Sequence, residues 1–107
     1  MKTFKVNRNI NINGTYFQDY LPGQISRSDL ETAFGPPLES RDSKTTLEWQ
    51  FSDPAGCPFT IYNYKDESRD SDNDKPYDWH IGASSGVFLK DFIEWVTDEI
   101  LDANDAK

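Results

Sequence analysis

The side chains able to do acid–base or ligand chemistry are few, and their spacing decides most of what they can do. His80 is the single histidine and Cys57 the single cysteine. A lone imidazole excludes sites built on two, and a lone thiol excludes an intramolecular disulfide and a multi-cysteine metal centre. In an extended segment His80 would share a face with Asp78, opposite Trp79 and Ile81. That pair could act as a general base and its orienting carboxylate. The competing reading is a histidine bonded beneath a helix or lying at a sheet surface. No serine or cysteine stands in a nucleophile motif, and Cys57 lies between Gly56 and Pro58 with no neighbouring cation to activate it. Catalysis is therefore not expected.

Asp70, Asp72 and Asp74 match the first three ligand spacings of a calcium loop. Lys75 stands where the bend needs glycine, however, and Ile81 where a bidentate glutamate belongs. The competing reading is a solvated hairpin tip, and neither a metal nor a cofactor is expected. Asn13-Gly14-Thr15 fits a glycosylation acceptor, which is discarded because nothing in the sequence marks the chain for secretion.

A more informative pattern lies near the C-terminus. Asp91, Glu94, Asp98, Asp102 and Asp105 recur at spacings of three, four, four and three. On a helix they fall within about 80° of one another, in a row ~21 Å long. One DNA strand places ~6 phosphates over that length. The row therefore approaches a nucleic-acid backbone in number and sign of charge. Glu99, Asp102 and Asp105 also load the helix C-terminus with the unfavourable sign for its dipole, a cost of up to a few tenths of a kcal/mol each when exposed. Lys90 is the one offsetting charge within that helix. A local rule broken without local compensation points to function; a plain solvated helix face is the alternative. Trp95, beside Asp91 and Asp102, is either an interface anchor or partly buried against the sheet.

Charge is unevenly spread over the whole chain. The net charge is −8. Residues 1–28 carry Lys2, Lys5, Arg8 and Arg27 against Asp19, a net of +3, and the remaining residues carry −11. Residues 66–78 and residues 88–107 each net −4. This asymmetry argues for one acidic face, on which Asp70, Asp72 and Asp74 would extend the Asp91–Glu94–Asp98–Asp102 row. It also opposes direct binding to nucleic acid or anionic lipid.

These groups need a scaffold, and 107 residues make one domain, residues 1–107. A chain this long can bury roughly two-thirds of its unfolded surface. Aromatic residues are 14% of it, which opposes disorder despite 28% charged residues. No run approaches the ~18 apolar residues of a membrane span, and no apolar stretch follows Lys2 and Lys5 to make a signal peptide. An intracellular protein is expected.

Alternation predicts strands at 3–7 and 9–13, an Asn13-Gly14 hairpin turn, and a return strand over 15–20 with Tyr16, Phe17 and Tyr20 available to pack. Ser26 and Asp29 form an approximate capping box for a helix with Leu30, Ala33 and Phe34 on one face, ended by Gly35 and Pro36-Pro37. Residues 38–44 read as loop. Strands over 45–51, 59–64 and 77–83 follow, the first two joined by Asp53-Pro54-Ala55-Gly56 turn chemistry. Ser84 or Ser85 would cap the last helix, whose Phe88, Leu89, Phe92, Ile93, Val96 and Ile100 lie within about 140°. The fold class is α+β: a mostly antiparallel sheet of four to five strands with two helices, the C-terminal one packed on the sheet.

Ile12-Asn13-Gly14-Thr15, the Leu30…Phe34-Gly35-Pro36 helix end, Thr46-x-Glu48-Trp49, Phe59-Thr60-Ile61-Tyr62-Asn63-Tyr64-Lys65 and Asp78-Trp79-His80-Ile81-Gly82-Ala83 stand in an order that resembles a family. It is a family of small uncharacterised bacteriophage proteins with a Trp-His-Ile-Gly motif before a C-terminal helix. The resemblance covers residues 10–96. Ala83 stands where that family usually has glycine, and residues 1–9 are not shared. The resemblance implies a phage accessory protein and brings no catalytic residues.

The expected function is thus non-enzymatic: binding and inhibition of a host defence protein, a CRISPR or restriction nuclease. An acidic face would imitate nucleic acid at a basic surface in the host cytoplasm. The alternative is a sponge for a small molecule or signalling nucleotide, lined by the aromatic strands and His80. That would require Lys2, Lys5, Arg8 or Arg27 to converge there.

Overall fold

Large apolar residues at 47, 49 and 51 alternate with polar ones, and the backbone follows that period. In the computed structural model, which describes residues 4–39, 47–63, 76–84 and 88–105, β4 (Leu47–Ser52) is antiparallel to β5 (Pro58–Tyr62). Phe51 faces Phe59 and Trp49 faces Ile61 across the pair. β5 is antiparallel to β6 (His80–Ala83), with Ile61 opposite Ile81 and Phe59 opposite Ala83. One sheet face is therefore made of Trp49, Phe51, Phe59, Ile61, Ile81 and Ala83, all buried. The turn between β4 and β5 is built as its residues imply. Asp53 Oδ1 accepts the Ala55 and Cys57 amides, each at 2.9 Å, and Gly56 takes a φ of 87°.

Three further strands flank this trio. β1 (Lys5–Val6) and β3 (Leu38–Glu39) pair with opposite ends of β4, and β2 (Tyr16–Tyr20) pairs with β6. The order is β1-β4-β5-β6-β2, with β3 beside β4, antiparallel throughout. The fold is α+β.

The N-terminal hairpin expected from Asn13-Gly14 is not formed. The turn is present, with the Thr15 amide bonded to the Ile12 carbonyl at 3.0 Å and Gly14 at φ 87°, but it joins no paired strands. β1 and β2 sit at opposite edges of the sheet, and residues 7–15 connect them. The asparagines explain this. Asn7 Oδ1 accepts the Asn9 amide at 3.2 Å and Asn11 Oδ1 accepts the Asn13 amide at 2.9 Å, so local side-chain bonds take donors that a strand ladder would use. Crossing four inter-strand gaps of ~4.8 Å needs only ~19 Å. Residues 38 and 39, expected in a loop, form β3 instead.

α1 (Arg27–Phe34) begins with the capping box its sequence implies. Ser26 Oγ accepts the Asp29 amide at 3.2 Å, and Asp29 Oδ2 accepts the Ser26 amide at 3.1 Å. Leu30 and Phe34 are buried. Gly35, at φ 85° and ψ −174°, leaves the helix by a backbone path suited to glycine. Ser26→Ala removes one bond and strands its partner. A loss of about 1–2 kcal/mol is expected, read as a lower denaturant midpoint with an unchanged slope.

α2 (Leu89–Asp105) lies on the same sheet face as α1, because Phe92 and Phe34 both meet Phe51, with ring centroids 5.3 and 5.0 Å apart. Phe92, Val96 and Ile100 are buried, as the helical period implies. Phe88 departs from that stripe. It has φ 63° and is 43% exposed, and its carbonyl accepts the Phe92 amide, so it stands before the helix rather than on its core face. Ser84 lies outside the helix, and Ser85 falls outside the described residues. Two tryptophans tie α1 to the sheet. Trp79 Nε1 donates to the Ile25 carbonyl at 2.8 Å, and Trp49 Nε1 to the Gly35 carbonyl at 2.9 Å.

Candidate functional site

The two periods that build the core also decide what each element shows to solvent. On α2, burial of Phe92, Val96 and Ile100 against the sheet turns the opposite side outward. Asp91, Glu94, Asp98, Asp102 and Asp105 are all exposed there. Among the described residues none of the five is paired with a lysine or arginine. The successive carboxylates are i,i+3 or i,i+4 neighbours of like sign, which costs helix stability rather than adding to it. Asp70, Asp72 and Asp74, expected to extend this ridge, lie outside the described residues.

Trp95 borders the ridge. It is half-buried, with its ring 5.6 Å from that of Phe34 in a stacked arrangement and 5.6 Å from that of Phe4. Asp91, Glu94, Trp95 and Asp98 line a hollow of about 60 Å³. Trp95 is thus first a packing residue, with an edge at the ridge.

The opposite face of the sheet carries a second exposed feature. Strand register aligns Glu48, Tyr62, His80 and Tyr20 in one row across β4, β5, β6 and β2, and Gln50, Thr60, Gly82 and Phe17 in the next. Four rings gather there. Phe17 and Tyr20 have centroids 5.1 Å apart, and His80 lies 5.0 Å from Phe17, 4.9 Å from Tyr20 and 5.4 Å from Tyr62. Phe17 and Tyr20 are exposed, and Tyr62 and His80 half-buried.

His80 is therefore a sheet-surface residue. Its Nδ1 lies 3.1 Å from the main-chain carbonyl of Asp78, not from the Asp78 carboxylate. A carbonyl can only accept, so Nδ1 carries the proton in that bond. The base-and-orienter arrangement considered from the sequence is not the one observed. Cys57 is exposed in the β4–β5 turn.

The ring patch was only partly legible in the sequence. Alternation places Tyr62 and His80 opposite the core residues, but Phe17 and Tyr20 join them only through the pairing of β2 with β6, which has a register shift between Phe17 and Asp19. The Trp-His-Ile-Gly run now has a physical account at each position. Trp79 and Ile81 are core, His80 is in the patch, and Gly82 admits close packing. A Cβ on Gly82 would stand 2.6 Å from Thr60 Oγ1 and 3.4 Å from a Tyr62 ring carbon. Thr60 is buried and short, so it has little room to move. Gly82→Ala is expected to cost about 1–3 kcal/mol, and thermal melting of the variant checks it.

Of the four basic residues that reading needs, Lys2 lies outside the described residues, and the other three do not converge on His80. Lys5 is on β1, at the far edge of the sheet, and Arg8 donates to the Pro36 carbonyl. Arg27, on α1, lies on the other sheet face with Nε 3.6 Å from Glu31 Oε1. A cleft of about 290 Å³ between the β2–α1 connection and α2 is lined by Ile25, Ile100 and Leu101. Its titratable lining groups are Asp29 and Asp105, the wrong sign for an anionic nucleotide. The sponge reading thus lacks the basic cluster it requires among the described residues.

No group of histidine, cysteine, aspartate or glutamate among the described residues is placed to hold a metal ion. No described helix is long and apolar enough to cross a membrane. No family model and no curated protein matches the chain.

Proposed function

We propose that this chain is a non-enzymatic binding protein that docks the carboxylate ridge of α2 on the basic, nucleic-acid-binding surface of a host protein and keeps nucleic acid out. The observation that carries this reading is the ridge itself: Asp91, Glu94, Asp98, Asp102 and Asp105 exposed in one row, without cationic partners among the described residues. The row is held rigidly, because the other side of the same helix is fixed by Phe92, Val96 and Ile100. A rigid row loses less conformational entropy on binding than carboxylates on a loose loop. The resemblance to small bacteriophage proteins points to a CRISPR or restriction nuclease as target and to the host cytoplasm as the place of action.

The test is DNA cleavage by such purified nucleases with the chain in excess, at rising salt. Exposed charges are screened over ~10 Å at ~0.1 M and over ~3 Å at ~1 M ionic strength. Inhibition is expected at low salt and should fade as salt rises within the range the nuclease tolerates. Inhibition that is indifferent to salt would remove the ridge from the mechanism.

A further inference from the structure

The cleft between the β2–α1 connection and the C-terminal half of α2 has two walls, each fixed from behind. The connection is pinned at both ends. The Leu21 amide donates to the Trp79 carbonyl at 2.8 Å, and the Ile25 carbonyl accepts the Tyr77 amide at 3.1 Å and Trp79 Nε1 at 2.8 Å. Between these points Gly23, at φ 96°, makes a bend that other residues rarely adopt. On the other side Val96 and Ile100 hold α2 against the core. The enclosed space of about 290 Å³ is near the lower end of small-molecule pockets. A preformed cleft loses little conformational entropy when it is filled.

The lining sets the chemistry of the guest. Ile25, Ile100 and Leu101 supply apolar walls. The polar lining is weighted to acceptors. Asp29 is half-buried, and its Oδ2 accepts the Ser26 amide, which leaves Oδ1 for a guest. Asp105 is exposed at the rim. Thr97 spends its hydroxyl proton on the Ile93 carbonyl, and Asn104 Nδ2 donates to the Ile100 carbonyl, each at 2.8 Å, so both keep an oxygen to offer. Gln24, exposed at the rim, can donate or accept. Among the described residues, no lysine, arginine or histidine lines the cleft. A fitting guest is apolar over most of its surface and brings positive charge and hydrogen-bond donors. An ammonium has donors and no acceptor. A lysine from a partner protein has the same head, but its stem is a thin methylene chain that leaves the cleft underfilled; a compact ring-bearing amine fills it.

We propose that this cleft binds a small primary amine in its protonated form. The apolar body lies against Ile25, Ile100 and Leu101, and the ammonium faces Asp29 and Asp105. The site shares Asp105 alone with the α2 ridge, so it stands whether or not the ridge binds a nuclease.

The test is amide NMR of the isotope-labelled full chain, titrated with phenethylamine at neutral pH and ~0.15 M salt, which screens general attraction to exposed carboxylates. Saturable shifts are expected at Gly23–Ile25 and Thr97–Asn104, with a Kd of about 1 mM or tighter. Phenethyl alcohol, the same body without the charge, should bind more weakly, and phenylacetate more weakly still. Asp29→Asn keeps an oxygen for the Ser26 amide while removing the charge. Combined with Asp105→Asn it should weaken binding by about two- to thirtyfold. Leu101→Lys, at an exposed position, brings a competing ammonium to the wall and should remove the shifts with melting little changed. The α2 triple change of Asp91, Glu94 and Asp98 to lysine should leave the shifts in place, so failure of the ridge reading and failure of this one are told apart. Any of four results overturns the proposal. They are no saturable shift at the cleft amides, shifts of equal size along the whole ridge, equal binding of phenethyl alcohol, or tighter binding of a capped lysine peptide, which would assign the cleft to a partner's side chain.

Discussion

Changing Asp91, Glu94 and Asp98 together to lysine is expected to abolish inhibition of the target nuclease while the chain stays folded. All three side chains are exposed, and none touches the buried stripe of Phe92, Val96 and Ile100. The net charge moves from −8 to −2, two units for each of the three positions. An exposed ion pair is worth ~0.2–1 kcal/mol, and reversal replaces each attraction by a repulsion of similar size. Three positions then weaken binding by about 1–6 kcal/mol, roughly tenfold to 10⁴-fold. A single reversal is expected to cost little, because neighbouring carboxylates keep most of the field. Helix stability should change by less than about 1 kcal/mol. The triple variant keeps like-charged neighbours at 91, 94 and 98, loses an acidic residue from the first turn and gains a favourable pair with Asp102. Affinity by calorimetry and melting by circular dichroism read the two effects separately. A folded triple variant that still inhibits would end the proposal.

Phe92→Ala is expected to cost about 3–5 kcal/mol. Phe92 is fully buried at the centre of the aromatic core. Its ring stacks on Phe59 with centroids 4.6 Å apart and meets the edges of Phe4 and Phe51, each at 5.3 Å. Truncation opens a cavity between α2 and the sheet that Phe51 and Phe59, held by the pairing of β4 with β5, cannot fill. Since a domain has only about 5–15 kcal/mol in hand, the variant should melt far below the parent or fail to fold. The contrast is Leu101→Ala on the same helix. Leu101 is 58% exposed, and its loss should stay within about 0.5 kcal/mol. Equal destabilisation by the two changes would mean that α2 does not pack on the sheet by the face described.

Much of the scaffold was legible before any fold was known. The alternation at 47, 49 and 51 gave β4 and its inward face, and the Ser26 and Asp29 pair gave the start of α1. The spacing of the five carboxylates gave a ridge opposite the core stripe of α2. The misreadings share one cause. Asn13-Gly14 is a sound turn signal, and a turn does form there, but a turn says nothing of which strands lie on either side of it. Phe88 looked like a core residue by its spacing, although the helix starts after it.

By itself, the sequence determined which way side chains face within the regular elements; β2, whose register shift puts Phe17 and Tyr20 on one face, is the exception. Periods of ~2 and ~3.6 residues are properties of the local backbone, and caps and turns form among residues only a few places apart. The tertiary structure alone decided which edges meet. β1 joins β4 and β2 joins β6, which brings Phe17, Tyr20, Tyr62 and His80 together from three strands far apart in the chain. Edge choice is a competition between distant backbone donors and acceptors, and the entropy of closing the loop between them grows only slowly with its length. No short window of residues encodes its outcome.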